Sequence, residues 1–322
     1  MNTVVSVAFL IAAGLAVPSL AANYPVKPVR IVVPFAPGGA ADLLIRPMNE
    51  KLTEVLGQPV LIDNRGGAGG NIGAAMVAQA SPDGYTLLVT TAGVIVANRS
   101  LYRKLTVDPA VALDPVSIIA SLPNMLVVSP KLGVASVADI IARAKAKPGT
   151  VSFASGGIGT SNHLAGELLK HLTGTDMTHV PYKGGGPAVV ATIAGEVTML
   201  FATLPSAAQQ VKAGRLTALA VTSRSRSPAA PGVPTMTEAG VQGFEVSENW
   251  VGALAPRGTP ATVVNRVQKA IVQAVEDADV RNRLAAAGYE VVASTPAAMG
   301  QAIKRQSQSW EQIIKAAGIE PQ

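Results

Sequence analysis

Apolar residues along this chain recur with two alternating periods. Short runs rich in Val, Ile and Leu at 29–35, 60–63 and 86–91 alternate with stretches at 42–56 and 71–80 whose apolar positions fall three and four apart. The first kind predicts strands and the second amphipathic helices. The alternation continues with strands at 126–129, 151–154, 179–182, 197–202 and 216–222, and with helices at 137–146, 160–172, 188–194 and 206–213. Strand–helix–strand order of this kind builds parallel, doubly wound sheets, so an α/β fold with two such halves is expected. Glycine stands at many junctions, including Gly57, Gly84, Gly149, Gly174 and Gly214, where helix ends and turns need permissive backbone. After Pro228 a connector rich in Pro and Gly runs to Gly243, and residues 244–256 read as extended. Two helices follow, with Val264, Val267, Ile271 and Val275 at helical spacing; the last, 296–317, stops at Gly318.

A chain of 322 residues exceeds one ordinary core and accommodates two lobes. Hydrophobic residues make up 48% and charged ones 14%, which favours packed structure over disorder. With no cysteine, disulfides, thiolate zinc sites, thiol nucleophiles and an N-terminal lipid anchor are all excluded. Residues 1–22 carry no charge and hold an apolar run at 4–17, followed by Pro18-Ser19-Leu20-Ala21. Small residues at Ser19 and Ala21 suit signal peptidase, so a signal peptide over 1–21, cleaved after Ala21 or Ala22, and a soluble periplasmic product are expected. The apolar run, about 14 residues, is too short for a membrane span. Net charge is +6, yet the basic residues are scattered and aromatics are only 4%. No nucleic-acid partner is expected on that pattern, while a mild positive field suits anionic solutes.

Three glycine loops carry the candidate chemistry. Phe35-Ala36-Pro37-Gly38-Gly39-Ala40-Ala41-Asp42 joins a strand to a helix, as does Ser155-Gly156-Gly157-Ile158-Gly159-Thr160-Ser161 ahead of His163. Tyr182-Lys183-Gly184-Gly185-Gly186-Pro187 has the same build. Such turns lie at the carboxyl ends of strands, where doubly wound sheets bind ligands. Their glycines let backbone N–H groups approach an oxyanion, and each helix N-terminus adds roughly half a positive charge. Any one of these loops is equally well a structural turn; three together favour anion capture.

Enzyme motifs fail residue by residue. A dinucleotide fingerprint needs glycine at Asn162 or Ile72, and a nucleophile elbow around Ser155 needs glycine at Phe153. No glycine loop is followed by a Walker lysine, and His163, His171 and His179 are joined by no acidic cluster that would make a metal face. No enzymatic activity, metal or cofactor is expected. His163 reads first as a residue bracing its loop and second as a ligand contact.

The motifs Pro34-Phe35-Ala36-Pro37-Gly38-Gly39, Asn64-Arg65-Gly66-Gly67-Ala68-Gly69-Gly70-Asn71, Asp83-Gly84-Tyr85-Thr86, Gly157-Ile158-Gly159-Thr160-Ser161-Asn162-His163, His179-Val180-Pro181-Tyr182-Lys183-Gly184 and Asn249-Trp250-Val251-Gly252 occur in this order. As a set they resemble the Bordetella uptake gene receptors, the periplasmic components of tripartite tricarboxylate transporters, over nearly all of the mature chain. The resemblance implies a type II periplasmic-binding fold, with two doubly wound lobes, a ligand cleft and two crossing segments. It places lobe 1 at 22–120 plus 244–322 and lobe 2 at 121–243. It implies a small carboxylate ligand held by Phe35, Pro37, Gly38, Gly39, Ala40 and Asp42 from one lobe, and by Ser155, Gly156, Gly159, Thr160, Ser161 and His163 from the other. Tyr182 and Lys183 are further candidates, and Asp42 is expected to order its loop, because like charge repels an anion. A monomer that serves two membrane transporter subunits, one large and one small, follows from the same likeness; a solute sensor for a membrane signalling partner is the alternative. Two departures stand out. Ala191 occupies a position where many relatives carry an aspartate able to pair with an amino group, so an amino-acid ligand is not expected. Pro47 falls about one turn after Asp42 and is expected to kink that helix.

Overall fold

The computed structural model describes residues 24–244 and 249–321. The expected signal peptide, and residues 245–248 of the predicted extended segment, lie outside the described residues. Chain order is β1 (Val29–Val33), α1 (Ala40–Leu56), β2 (Val60–Asn64), α2 (Asn71–Ala78), β3 (Thr86–Thr91), α3 (Ala92–Val96), α4 (Asn98–Leu101), α5 (Pro109–Ala112), β4 (Leu113–Ser121), β5 (Asn124–Val128) and α6 (Val137–Ala146). It continues through β6 (Ser152–Ser155), α7 (Ser161–Thr173), β7 (Thr178–Pro181), α8 (Gly185–Ala194), β8 (Met199–Thr203), α9 (Leu204–Lys212), β9 (Thr217–Val221), β10 (Trp250–Pro256), α10 (Ala261–Glu276), α11 (Ala278–Ala286), β11 (Glu290–Val291) and α12 (Pro296–Ala316).

The strands form two sheets. The first has six strands in the order β11-β4-β10-β3-β1-β2, and the second has five in the order β7-β6-β8-β5-β9. Alternate residues of each strand serve opposite faces. Val29, Ile31 and Val33 pack with Leu44, Met48 and Val267 on one side of β1, while Val32 joins Leu88 and Trp310 on the other. In the second sheet Leu126 and Val128 face Ile140 and Leu169, and Met125 and Val127 face Val189 and Ala207. Helices therefore cover both faces of both sheets, as the near-continuous apolar strands require.

The expectation of wholly parallel sheets is corrected in one respect. β1 pairs in parallel with β2 and β3, and β6 with β7 and β8, but β10 runs antiparallel to β3 and β4, and β5 antiparallel to β8 and β9. The edge strand β11 also runs antiparallel to β4, and β5 and β10 are the reversed strands that enter from the other half. The chain crosses between β4 and β5 and returns at Asn249 and Trp250, where Leu122 N–H donates to Asn249 O at 3.1 Å. A strand that starts at the junction must run against neighbours that end there.

α1 continues through Pro47 to Leu56 and stops at Gly57, whose left-handed backbone (φ 71°) returns its N–H to Thr53 and Glu54. Pro47, where a kink was expected, lies inside α1 without ending it, and Leu44, Ile45, Met48 and Leu52 are buried on either side of it. No described helix is long and apolar enough to cross a membrane.

Candidate functional site

Where the two halves meet, a cavity of about 20 Å³, room for about one water, is lined by Phe35, Gly39, Ala40 and Thr91 from the first half. Gly156, Thr160, Ser161, Asn162, Gly185 and Thr203 line it from the second. None of these side chains is charged. What the lining has in common is its place in the helices. Ala40, Ser161 and Gly185 are the first residues of α1, α7 and α8, and Thr91 and Thr203 immediately precede α3 and α9. An uncapped first turn leaves N–H groups without partners, and a side chain usually fills the gap. Asp108, Ser136, Asp277 and Thr295 do so for α5, α6, α11 and α12. The five N-termini at the cavity have no side-chain cap, a property shared among the described α-helices by α2, α4 and α10. Partial positive charge thus converges on a space that no anionic side chain fills.

The halves are shut upon each other here. Ala36 N–H donates to Lys183 O at 3.1 Å, Ser206 Oγ to Gly38 O at 3.2 Å, and Tyr102 Oη to Ile158 O at 3.1 Å. Glycine permits the approach at several places, Gly69 and Gly93 among them. A methyl at Gly69 would lie 2.1 Å from Ile158 O, and one at Gly93 would lie 2.0 Å from Gly159 O. Half-burial pushes the Tyr102 phenol up to about 12, so it remains a donor at any ordinary pH.

Behind the lining, a second set of residues fixes the loops. Asp42 is buried and accepts from Gly38 N–H at 3.0 Å, Arg46 Nε at 2.9 Å and Asn64 Nδ2 at 3.1 Å. Burial raises its pKa, but the hydrogen bonds from Arg46, Gly38 and Asn64 outweigh that and hold the carboxyl below its ordinary value. Tyr289 Oη donates to Ala40 O at 2.6 Å and anchors the same turn. In the second half Ser155 Oγ lies 2.6 Å from His179 Nε2 and accepts from Gly157 N–H at 3.0 Å. His163 Nδ1 accepts from Gly159 N–H at 3.3 Å, and Thr160 Oγ1 donates to Gly157 O at 2.6 Å. The two imidazoles stand 4.4 Å apart, with Phe153 stacked on His179. Desolvation, helped by His179 and Lys170, lowers His163 to about 3; desolvation and Lys170 lower His179 to about 4. Both rings are neutral above those values, which lets His163 act as an acceptor.

Of the residues nominated from sequence, Phe35, Gly39, Ala40, Gly156, Thr160 and Ser161 lie together on the cavity. Asp42, Ser155, Gly159 and His163 stand behind it and order the glycine turns. Pro37 and Gly38 form the contact between the halves, with Gly186 packed against Pro37 and Ser206 bonded to Gly38. Tyr182 turns toward Glu196 at 3.4 Å, and the exposed Lys183 contributes its backbone carbonyl; neither lines the cavity. Thr91, Asn162, Gly185 and Thr203 were not nominated. Thr91 and Thr203 end strands that pass directly into helices, so the strand-end rule applied to all the strands would have found them.

A model of the tripartite tricarboxylate transporter family receptor matches residues 44–319. The chain belongs to this family. Its relative BugT of Bordetella pertussis is 37% identical over 311 residues, covering 96% of this chain and 95% of BugT. Among solved structures, Rpa4515 of R. palustris with adipate is 37% identical with a TM-score of 0.89, over 93% of this receptor and 100% of that chain. MatC of Rhodopseudomonas palustris with bound malate is 33% identical with a TM-score of 0.87, over 90% and 100%. The fold is the type II periplasmic-binding fold, and the resemblance read from the motifs identified the right family.

Proposed function

We propose that this receptor captures a small aliphatic carboxylate in the periplasm by lobe closure and delivers it to a membrane transporter of one large and one small subunit. The lobes are 22–120 plus 244–322 and 121–243, and residues 1–21 are removed on export. The observation that carries the reading is the convergence of five uncapped helix N-termini, two from one half and three from the other, on a cavity without a charged side chain. An anion placed there takes hydrogen bonds from both halves at once, so it binds the shut form better than the open one and shifts the population toward it. Ligand contacts are assigned to Phe35, Gly39, Ala40, Gly156, Thr160 and Ser161, with Asp42, Ser155 and His163 holding the turns in place. Adipate and malate in two similar proteins direct attention to dicarboxylates. The cavity in the shut form has room for about one water, so the halves must part slightly to seat a carboxylate head group between the two sets of turns.

A thermal-denaturation panel of aliphatic and aromatic mono- and dicarboxylates, including adipate and malate, tests this. A true ligand at 100 times its Kd stabilises the protein by about 2.7 kcal/mol. A panel in which no carboxylate raises the melting temperature contradicts the proposal.

A further inference from the structure

A second cavity, of about 420 Å³, lies at the crossing segments. Both halves build it. Arg224 and Thr222 come from the end of β9, Arg305 from α12, Trp250 from β10, and Leu122 from the crossing. The crossing residues separate it from the ligand cavity. Ser161, which lines the ligand cavity, is bonded to Asn249 Nδ2 at 3.0 Å and to Asn124 Oδ1 at 3.3 Å. Asn249 in turn lines the second cavity. The two spaces therefore adjoin the same crossing segment, with Asn249 and Ser161 between them.

Its chemistry is distinctive. Trp250, Leu122, Pro123, Ile118 and Val292 give it an apolar floor. Arg224 and Arg305, one from each half, are exposed and make no ion pair among the described residues. Among the described residues Glu290 is the one acidic residue of the lining, which leaves those residues with a net charge of one positive. Asn249 is buried, and its Oδ1 has no hydrogen-bond partner among the described residues.

We infer that this cavity is a second binding site, for a small organic anion with an apolar body, and that its occupancy favours the shut receptor. The direction follows from the lever. Closing the cleft on one side of the crossing segments spreads the faces on the other side, so the rear cavity is widest when the lobes are shut and narrows as they open. An anion seated between Arg224 and Arg305 resists that narrowing. Coupling is reciprocal, so a cleft ligand and a rear anion each tighten the other by the same factor. The coupling clause rests on the carboxylate reading of the cleft; the site itself does not.

The probe is 1-anilinonaphthalene-8-sulfonate, an aromatic anion that accepts energy from tryptophan. The chain has two tryptophans, so Trp310→Phe leaves Trp250 as the sole donor, and calorimetry on the parent protein serves if that variant folds poorly. One saturable site with Trp250 quenching is expected. Its affinity falls at least tenfold in Arg224→Ala/Arg305→Ala and rises in Glu290→Gln, while adipate binding without the probe is unchanged by the arginine substitutions. With saturating probe, adipate binds several-fold more tightly. Equal probe binding by parent and arginine variant, displacement of the probe by adipate, or weaker adipate binding in its presence each overturns the inference. If adipate gives no heat at all, the failure belongs to the ligand assigned to the cleft, and the arginine dependence still decides the rear site.

Discussion

Gly93→Ala isolates closure from folding. Gly93 lies in α3, buried, with no positive φ, so alanine is compatible with its backbone and a better helix former by up to about 1 kcal/mol. The three atoms that the added methyl would approach most closely all belong to the opposite half. It would stand 2.0 Å from Gly159 O, 3.1 Å from Gly159 C and 3.3 Å from Thr160 Cα. Contact at van der Waals distance needs roughly 1 Å more separation, and a backbone carbonyl fixed by its turn cannot rotate aside as a side chain would. The shut form must therefore reopen slightly or carry an overlap that costs about 1–3 kcal/mol, the usual range for overpacking. Because the ligand binds the shut form, its affinity falls about 5- to 150-fold. The open form meets no such clash, so the ligand-free protein melts at the parent temperature or a little above. Isothermal titration gives the affinity, and calorimetric melting of the ligand-free variant gives the stability. Affinity within twofold of the parent, or a ligand-free variant that melts several degrees lower, refutes the reasoning.

Other expectations follow from the residues behind the cavity. Tyr102→Phe removes one hydrogen bond between the halves and is expected to weaken carboxylate binding about 2- to 12-fold with ligand-free stability little changed, as titration and melting will show. Asp42→Ala releases Gly38, Arg46 and Asn64 together and should cost about 1–3 kcal/mol in urea unfolding as well as affinity. Acid destabilises through the histidines. Folded values of about 3 for His163 and about 4 for His179 lie below the ordinary 6.5, so the unfolded chain takes up the protons first. Their contribution is complete above pH 6.5 and is lost as pH falls from there through 4 and 3, by on the order of 3 kcal/mol or more for each ring; urea midpoints that stay level from pH 7 to pH 4 would contradict this.

Much of the fold was legible because buried strands and amphipathic helices leave periodic traces, as β1 with α1 and β6 with α7 do. β4 left a confused one. It begins Leu113-Asp114-Pro115, and proline ordinarily argues against a central strand. The structure accommodates Pro115 opposite Leu254, beside a register shift between Ala253 and Leu254, where the ladder does not require its missing N–H. Strand direction was illegible too, because β5 and β10 have the same apolar composition as their parallel neighbours; only the crossing of the chain reverses them. In the site, glycine turns announced themselves by composition. The loop-bracing role of His163 was legible, but that of Ser155 was not, because the partner that turns Ser155 inward is His179, on another strand and 24 residues away. Lys183 looked functional by charge, yet its side chain is exposed and its carbonyl makes the contact.

The most direct test of the central claim is a crystal structure of the receptor with a carboxylate identified by the melting panel. The account predicts one carboxylate group within hydrogen-bonding distance of backbone N–H groups at both Gly39–Ala40 and Thr160–Ser161, with the lobes shut around it. A carboxylate bound by one half alone, or held by a charged side chain away from those turns, would contradict it.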